Sequence, residues 1–272
     1  VSLGALRDPA ALPGLIKRLD DGAPAVRQNA AIALGSIGHP QGFEPLEAAL
    51  RDGPADLRFQ AATSLVEIDP ARAFAPVAEA LHDRDPQVVA AAALALGAIG
   101  DVRACEPIAA CLEHASANTR FDVAYALADL GDPRGRATLI GGLAEPERAW
   151  DAVTALARLG APEDADALGR ALTSKRTPAE ATVLAAGKLL ALPTGAAHHE
   201  AARRVLLAAL GARKTHVRGL AVEQLDESGG AWAIAPLEKL ARSSKGRELT
   251  EVIDAALRTI SERAPSSQET ER

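Results

Sequence analysis

Pro86-Gln87-Val88-Val89-Ala90-Ala91-Ala92-Ala93-Leu94-Ala95-Leu96-Gly97-Ala98-Ile99-Gly100 carries no charge, is built on Ala and Leu, and is bracketed by Pro and Gly. Ala and Leu lose little backbone or rotamer freedom in a helix, whereas strands favour β-branched and aromatic residues. A Pro in the first helical turn gives up an N–H that has no partner there. A Gly at the end takes the left-handed conformation that stops a helix. The stretch predicts one helix, and its 13-residue apolar run from Val88 to Gly100 is too short to span a bilayer.

Outward from this helix the same pattern recurs. A Leu ending an amphipathic segment stands at Leu19, Leu50, Leu81, Leu112 and Leu143, with four spacings of 31 residues. A second series, Leu34, Leu65, Leu96, Leu127 and Leu156, has spacings of 31, 31, 31 and 29. Each unit therefore holds two helices, A and B. Gly38, Gly100, Gly131 and Gly160 close helix B, and Pro40, Pro70, Pro133 and Pro162 come next at helix starts. Asp20, Asp52 and Asp83 end helix A, before Pro24, Pro54 and Pro86 open helix B. A further Pro inside helix A, at Pro13, Pro45, Pro76, Pro107 and Pro236, predicts a bend there.

The punctuation divides the chain into eight units: 9–38, 40–69, 70–100, 101–131, 132–160, 161–192, 193–230 and 231–264. Together they make a single solenoid over 1–264, with residues 265–272 as a polar, disordered tail. Leu3 to Pro9 reads as the end of another helix B, so the array is expected to begin upstream. The last unit places Glu, Lys and Arg among its apolar positions, as a capping unit does.

Composition agrees. Of 272 residues 48% are apolar and only 3% aromatic, so the core is aliphatic and Ala-rich. Cys105 and Cys111 are six residues apart in one helix, roughly 9 Å at the helical rise, too far to pair. The chain start does not show the basic and apolar regions of a signal peptide, and a cytoplasmic location is expected.

The helix-A Pro, the turn Asp and the helix-B starts Pro24-Ala25-Val26-Arg27, Asp56-Leu57-Arg58, Asn118-Thr119-Arg120 and His216-Val217-Arg218 carry a family likeness. The sequence resembles HEAT repeats, in particular the short bacterial type described as phycobilin-lyase-like. The resemblance implies an all-α fold, an armadillo-like, right-handed α-α superhelix whose B helices line the concave face. It also implies a scaffold or adaptor rather than an enzyme.

At 100° per residue, Leu57, Ala61, Ser64, Leu65 and Ile68 face the core of unit 2, while Phe59 and Thr63 point away from it. Across the units the first of these positions reads Gln28, Phe59, Ala90, Phe121, Trp150, Val183 and Gly219. The second reads Ile32, Thr63, Leu94, Tyr125, Thr154, Gly187 and Glu223. Apolar anchors on an exposed face mark an interaction surface. Phe59, Thr63, Leu94, Phe121, Tyr125, Trp150 and Thr154 are thus expected to bind an amphipathic helix or extended peptide, with Phe121, Tyr125 and Trp150 central. The alternative is that these rings pack between neighbouring B helices.

Net charge is −6, but unevenly spread. Residues 1–169 hold 14 Lys/Arg against 24 Asp/Glu, and residues 170–220 hold 9 against 2. The basic band comprises Arg170, Lys175, Arg176, Lys188, Arg203, Arg204, Arg213, Lys214 and Arg218, and can steer an acidic protein segment or, alternatively, a nucleic acid. The overall acidity, with a pI near 5.6, disfavours a dedicated nucleic-acid binder. Arg27, Arg58, Arg120 and Arg218 read as bridges to the turn residues Asp20, Asp52 and Asp83 and to the preceding unit.

Catalytic motifs are missing. Gly211-Ala212-Arg213-Lys214-Thr215 lacks the Gly-x4-Gly frame of a phosphate-binding loop, and His199-Glu200 is followed by Arg203 where a zinc protease has its second His. The HEAT-like deoxyhypusine hydroxylases build a di-iron site from several His-Glu pairs, and one pair cannot do this. His198 and His199 are read as an exposed loop. No metal, cofactor or membrane partner is expected, although the lyase resemblance leaves tetrapyrrole handling as a further alternative.

Overall fold

The computed structural model describes residues 8–114 and 116–263, and those residues form helices joined by short turns without a strand. The expected upstream helix end and the C-terminal tail lie outside them. The chain divides between Thr138 and Leu139 into two compact units.

In the first unit α1 (Leu12–Arg18) pairs with α2 (Pro24–Ile37), α3 (Phe43–Asp52) with α4 (Ala55–Ile68), α5 (Pro70–Glu79) with α6 (Pro86–Ile99), and α7 (Cys105–Ala109) with α8 (Ala117–Asp129). The B helices α2, α4, α6 and α8 stack in that order. A short α9 (Arg136–Gly142) lies at the division. Phe43, Leu46, Leu34, Leu65, Leu96, Ile108 and Leu127 fill the space between the two layers and are all but inaccessible. Ala31, Ala62, Ala92, Ala93 and Ala126 are buried on the B helices, and a Cβ on Gly97 of α6 would stand 3.1 Å from the Ala126 backbone of α8. Cys105 and Cys111 are free thiols.

The second unit repeats the plan. B helices α10 (Ala149–Leu159), α12 (Ala179–Ala191), α14 (Thr215–Ser228) and α16 (Thr250–Arg263) stack, while α11 (Pro162–Ala171), α13 (Ala196–Ala209) and α15 (Ile234–Ala241) form the other layer. Leu156, Leu168, Leu189, Leu206, Leu225, Leu237 and Ile260 are its buried core.

The glycines expected to stop helix B do so: Gly38, Gly100, Gly131 and Gly160 have φ between +67° and +77°. The proline of helix A acts differently from expectation. In four A segments a 3-10 turn (Pro9–Ala11, Pro40–Gly42, Val102–Ala104, Ala231–Ala233) precedes the α-helix, and Pro13, Pro45, Pro107 and Pro236 fall within the first three residues of that helix. A Pro there lacks only an N–H that would have had no partner, so the chain changes helix type upstream instead of bending. Pro76 alone sits inside a continuous helix.

A second row of turn residues has the same period. The side chains of Asp8, His39, Asp69, Asp101 and Asp132 accept hydrogen bonds from the backbone N–H of Ala10, Gln41, Arg72, Arg103 and Arg134, at 2.9 to 3.3 Å. The arginines in this row reach back one repeat: Arg72 lies 3.9 Å over the Phe43 ring and 3.0 Å from Glu44, Arg103 lies 4.6 Å over Phe74, and Arg134 is 3.0 Å from Glu106. Cation–π stacking and ion pairing of this kind fix one repeat's angle on the next.

On the opposite edge the helix-B arginines reach forward. Arg27 grips Asp56 through both carboxylate oxygens at 3.0 Å. Arg58 holds Asp83 at 2.7 and 2.8 Å and donates its remaining guanidinium nitrogen to the Gly53 carbonyl at 2.8 Å. The bridge therefore runs to the following repeat, not the preceding one. Of the expected aspartates only Asp83 takes part; Asp52 pairs with the adjacent Arg51, and Asp20 stays exposed. A carboxylate of the next repeat, at the start of helix B for Asp56 and in the turn before it for Asp83, is nearer to the outstretched arginine than one in its own turn.

Side chains of Arg58 and Asp83 are 6% and 13% exposed. Hydrogen bonding from Arg58 holds the Asp83 carboxyl below the usual aspartate range. A lowered folded-state pKa stabilises fully above the unfolded value and fades as pH falls through the folded one. Asp83→Ala strands a buried cation and is expected to cost about 3–5 kcal/mol in urea unfolding at pH 7. The gap to the unmodified chain should begin to narrow below about pH 4, the ordinary aspartate value of the unfolded chain, and close as pH falls through the lower folded value. A gap that stayed constant down to about pH 2.5, well below the ordinary aspartate range, would contradict the pairing.

Candidate interaction surfaces

In the first unit the residues expected to form an exposed apolar row on the B helices differ in burial. Ile32 on α2 is 43% exposed and Phe59 on α4 is 39% exposed. Thr63, one helical turn beyond Phe59, is half-buried; its hydroxyl donates to the Gln60 carbonyl at 2.9 Å and accepts from the Gln60 amide at 3.0 Å. Leu94 on α6 is half-buried against the core, and Tyr125 on α8 is half-buried.

Phe121, expected as a central exposed anchor, is only 4% exposed. It is a packing residue. A helical wheel treats one helix alone and assigns to solvent what a stacked neighbour covers, and α8 lies directly against α6. The equivalent Ala90 is buried as well, and so are Val183 and Gly219 in the second unit. Ile32 joins the row although sequence reasoning does not single it out, since one aliphatic residue among many gives no compositional signal. Its place in the series with Thr63 is the available clue.

In the second unit Trp150 is 44% exposed in the first turn of α10, and Thr154 donates to the Trp150 carbonyl at 3.0 Å. The basic band separates into several environments. Arg170, Lys175, Arg176, Arg204 and Arg213 are exposed. Lys188 pairs with Glu227 at 3.0 Å, Lys214 with Glu180 at 3.5 Å, and Arg203 lies 5.1 Å over the Trp232 ring. Arg218 does not belong to a surface: it is 5% exposed and donates to the Ala212 and Arg213 carbonyls and to the Thr215 hydroxyl, each at 2.9 Å. Its guanidinium closes the turn between α13 and α14.

His198 and His199 are not in a loop either, since Gly195 starts α13 at Ala196. His198 stands 3.4 Å from Asp166 and His199 contacts the Leu192 carbonyl at 3.2 Å, so both brace α13 against preceding residues. Glu180 lies 2.8 Å from His216, and that hydrogen bond lowers its carboxyl pKa. Among the described residues no three His, Cys, Asp or Glu side chains converge as a metal site would require, and no helix is long and apolar enough to cross a membrane.

The family model described as HEAT repeats matches residues 1–66, 44–117 and 75–150 of this chain. No curated protein matches the chain. Among solved structures, the complex of CpcE and CpcF of phycocyanin lyase from Nostoc sp. PCC7120 is similar, with 26% identity, 75% of this chain and 84% of that chain covered, and a TM-score of 0.50. An engineered protein has 21% identity over 95% of this chain and 80% of its own, with a TM-score of 0.53. Human deoxyhypusine hydroxylase has 24% identity over 96% of this chain and 99% of its own, with a TM-score of 0.43. The fold is an all-α superhelical solenoid of helical repeats.

The burial difference along the row is directly testable. Phe121→Ala is expected to destabilise by about 3–5 kcal/mol, as loss of a buried ring does. Phe59→Ala should stay within about 1 kcal/mol. Paired urea titrations followed by circular dichroism distinguish the two, and equal effects would contradict the assigned burial.

Proposed function

The chain belongs to the HEAT-repeat family, and from that premise we propose that it is a non-catalytic scaffold that binds another protein on the concave face, through the side of its B helices turned away from the A layer. The carrying observation is the large apolar side chains kept open to solvent on those faces, Ile32 and Phe59 in the first unit and Trp150 in the second. Leaving such groups exposed forgoes the favourable burial that the surrounding Ala and Leu obtain, and a partner surface recovers it. In the first unit Thr63, Leu94 and Tyr125 extend the row. In the second, Thr154 stands beside Trp150 in the same way.

The partner segment is an amphipathic helix or extended peptide with acidic residues, because Arg170, Lys175, Arg176, Arg204 and Arg213 are exposed cations on the second unit. The likeness to a structure of two proteins in complex, CpcE with CpcF, supports a protein partner. Affinity capture from nuclease-treated lysate, read by mass spectrometry, tests this. The unmodified chain is expected to retain a protein that Ile32→Glu/Phe59→Glu loses by at least tenfold while keeping its helical spectrum. Identical recovery by both sinks the proposal for the first unit, and Trp150→Glu tests the second in the same way.

The phycocyanin lyase likeness, at 26% identity, favours a second reading in which the chain handles a tetrapyrrole. That reading requires a bilin absorbance band to shift and sharpen when the purified chain is added. An unchanged spectrum removes it. A nucleic acid as partner requires duplex affinity that falls steeply with salt.

A further inference from the structure

The A layer of the second unit contains a feature that the B-helix faces do not explain. A groove of about 530 Å³ opens between α13 and α15. Leu207, Leu210, Pro236 and Leu240 form its apolar floor, and Lys239 and Lys245 stand on its rim. Leu207 is 36% exposed there, one of few large apolar side chains so open. Lys245 donates to the Gly211 carbonyl at 2.9 Å, so its cation is fixed at the end of α13. Lys239 is exposed and forms no hydrogen bond or ion pair among the described residues. Among those residues no carboxylate lines the groove.

Grooves with a proline wall also occur in the first unit's A layer, and there the lining is predominantly acidic. The one between α1 and α3, at Pro45, is lined by Asp20, Asp21 and Asp52 against Arg27; the one between α3 and α5, at Pro76, by Glu47, Glu79 and Asp83 against Arg51 and His82, so carboxylates outnumber full cations in both. Solenoid geometry alone therefore makes the cleft but does not make it basic. An apolar floor with lysines and no acid complements one kind of helix: apolar residues every three or four positions, flanked by carboxylates.

We propose that the α13–α15 groove binds an acidic amphipathic helix of a partner protein, its apolar side chains seated on Leu207, Leu210, Pro236 and Leu240 and its carboxylates on Lys239 and Lys245. The proposal rests on the scaffold reading but places this contact on the A layer rather than on the B-helix face.

A phage library of random 16-residue peptides, panned on the immobilised full chain, supplies the probe. Fluorescence anisotropy with the enriched peptide then compares the unmodified chain with Leu207→Glu, Lys239→Glu and Ile32→Glu/Phe59→Glu. All substituted side chains are solvent-accessible, so folding is expected to persist and is checked by circular dichroism. Enriched sequences should combine Leu-type residues at helical spacing with Asp or Glu. Binding should weaken at least tenfold in Leu207→Glu and in Lys239→Glu, stay unchanged in Ile32→Glu/Phe59→Glu, and weaken with added salt. Failure to enrich, enrichment of basic or patternless peptides, or affinity untouched by Leu207→Glu overturns the proposal. Binding lost only in Ile32→Glu/Phe59→Glu overturns it while leaving the scaffold reading intact. Uptake of a fluorescent fatty acid by the unmodified chain but not by Leu207→Glu, without peptide selection, overturns it in favour of a lipid anion.

Discussion

Close approach of neighbouring B helices is the constraint on which the rest depends. Each interior B helix has a B helix on either side and the A layer behind it, so three of its four sides are covered. The side chains between B helices must then be small, and Ser64 beside Gly35 and Ala126 beside Gly97 are. The same constraint removes Cβ altogether at Gly97 against Ala126, and at Gly35, where a Cβ would fall 3.0 Å from the Ser64 backbone. Alanine has the highest helix propensity as well as a small volume, so local preference and packing demand the same residue.

Small side chains alone leave the angle between repeats loosely set, because Ala surfaces slide. Long side chains at the two edges of the first unit supply what Ala lacks. On one edge Arg72 and Arg103 lie across the aromatic ring of the repeat before them; on the other Arg27 and Arg58 hold a carboxylate of the repeat after them. Each guanidinium is held by a planar group, which constrains orientation as well as distance. In a stack whose stability is a sum of nearest-neighbour terms, such links act at every interface.

Repetition is why so much of the fold was legible. The 31-residue spacing of Leu, the Gly stops and the Pro starts all arise from local rules, and Leu57, Ala61, Ser64 and Leu65 are buried as their spacing requires. What the sequence alone concealed depends on a neighbour rather than on the helix itself. Phe121 is exposed on a wheel and covered in the stack; Arg58 has a carboxylate in its own turn yet takes Asp83; Arg218 looks like part of a basic band and is consumed by backbone carbonyls. The capping row Asp8, His39, Asp69, Asp101 and Asp132 was visible at its spacing, but the stronger Gly and Pro signals beside it masked it.

In the second unit the links between repeats change, and the surface changes with them. The first unit neutralises Asp56, on helix B, and Asp83, in the turn before helix B, with arginines of the repeat before. In the second, Arg218 directs its donors to its own turn, and the guanidinium of Arg213 in that turn stays exposed. Packing irregularities accompany this: Gln224 fills the space over Gly187, with its side-chain oxygen buried and lacking a hydrogen bond. A buried unpaired carbonyl is a cost that a regular Ala contact does not carry. Departure from the regular repeat thus redirects Arg218 to its own turn and leaves Arg213 on the surface, while links between repeats pass to other residues such as Lys188 with Glu227.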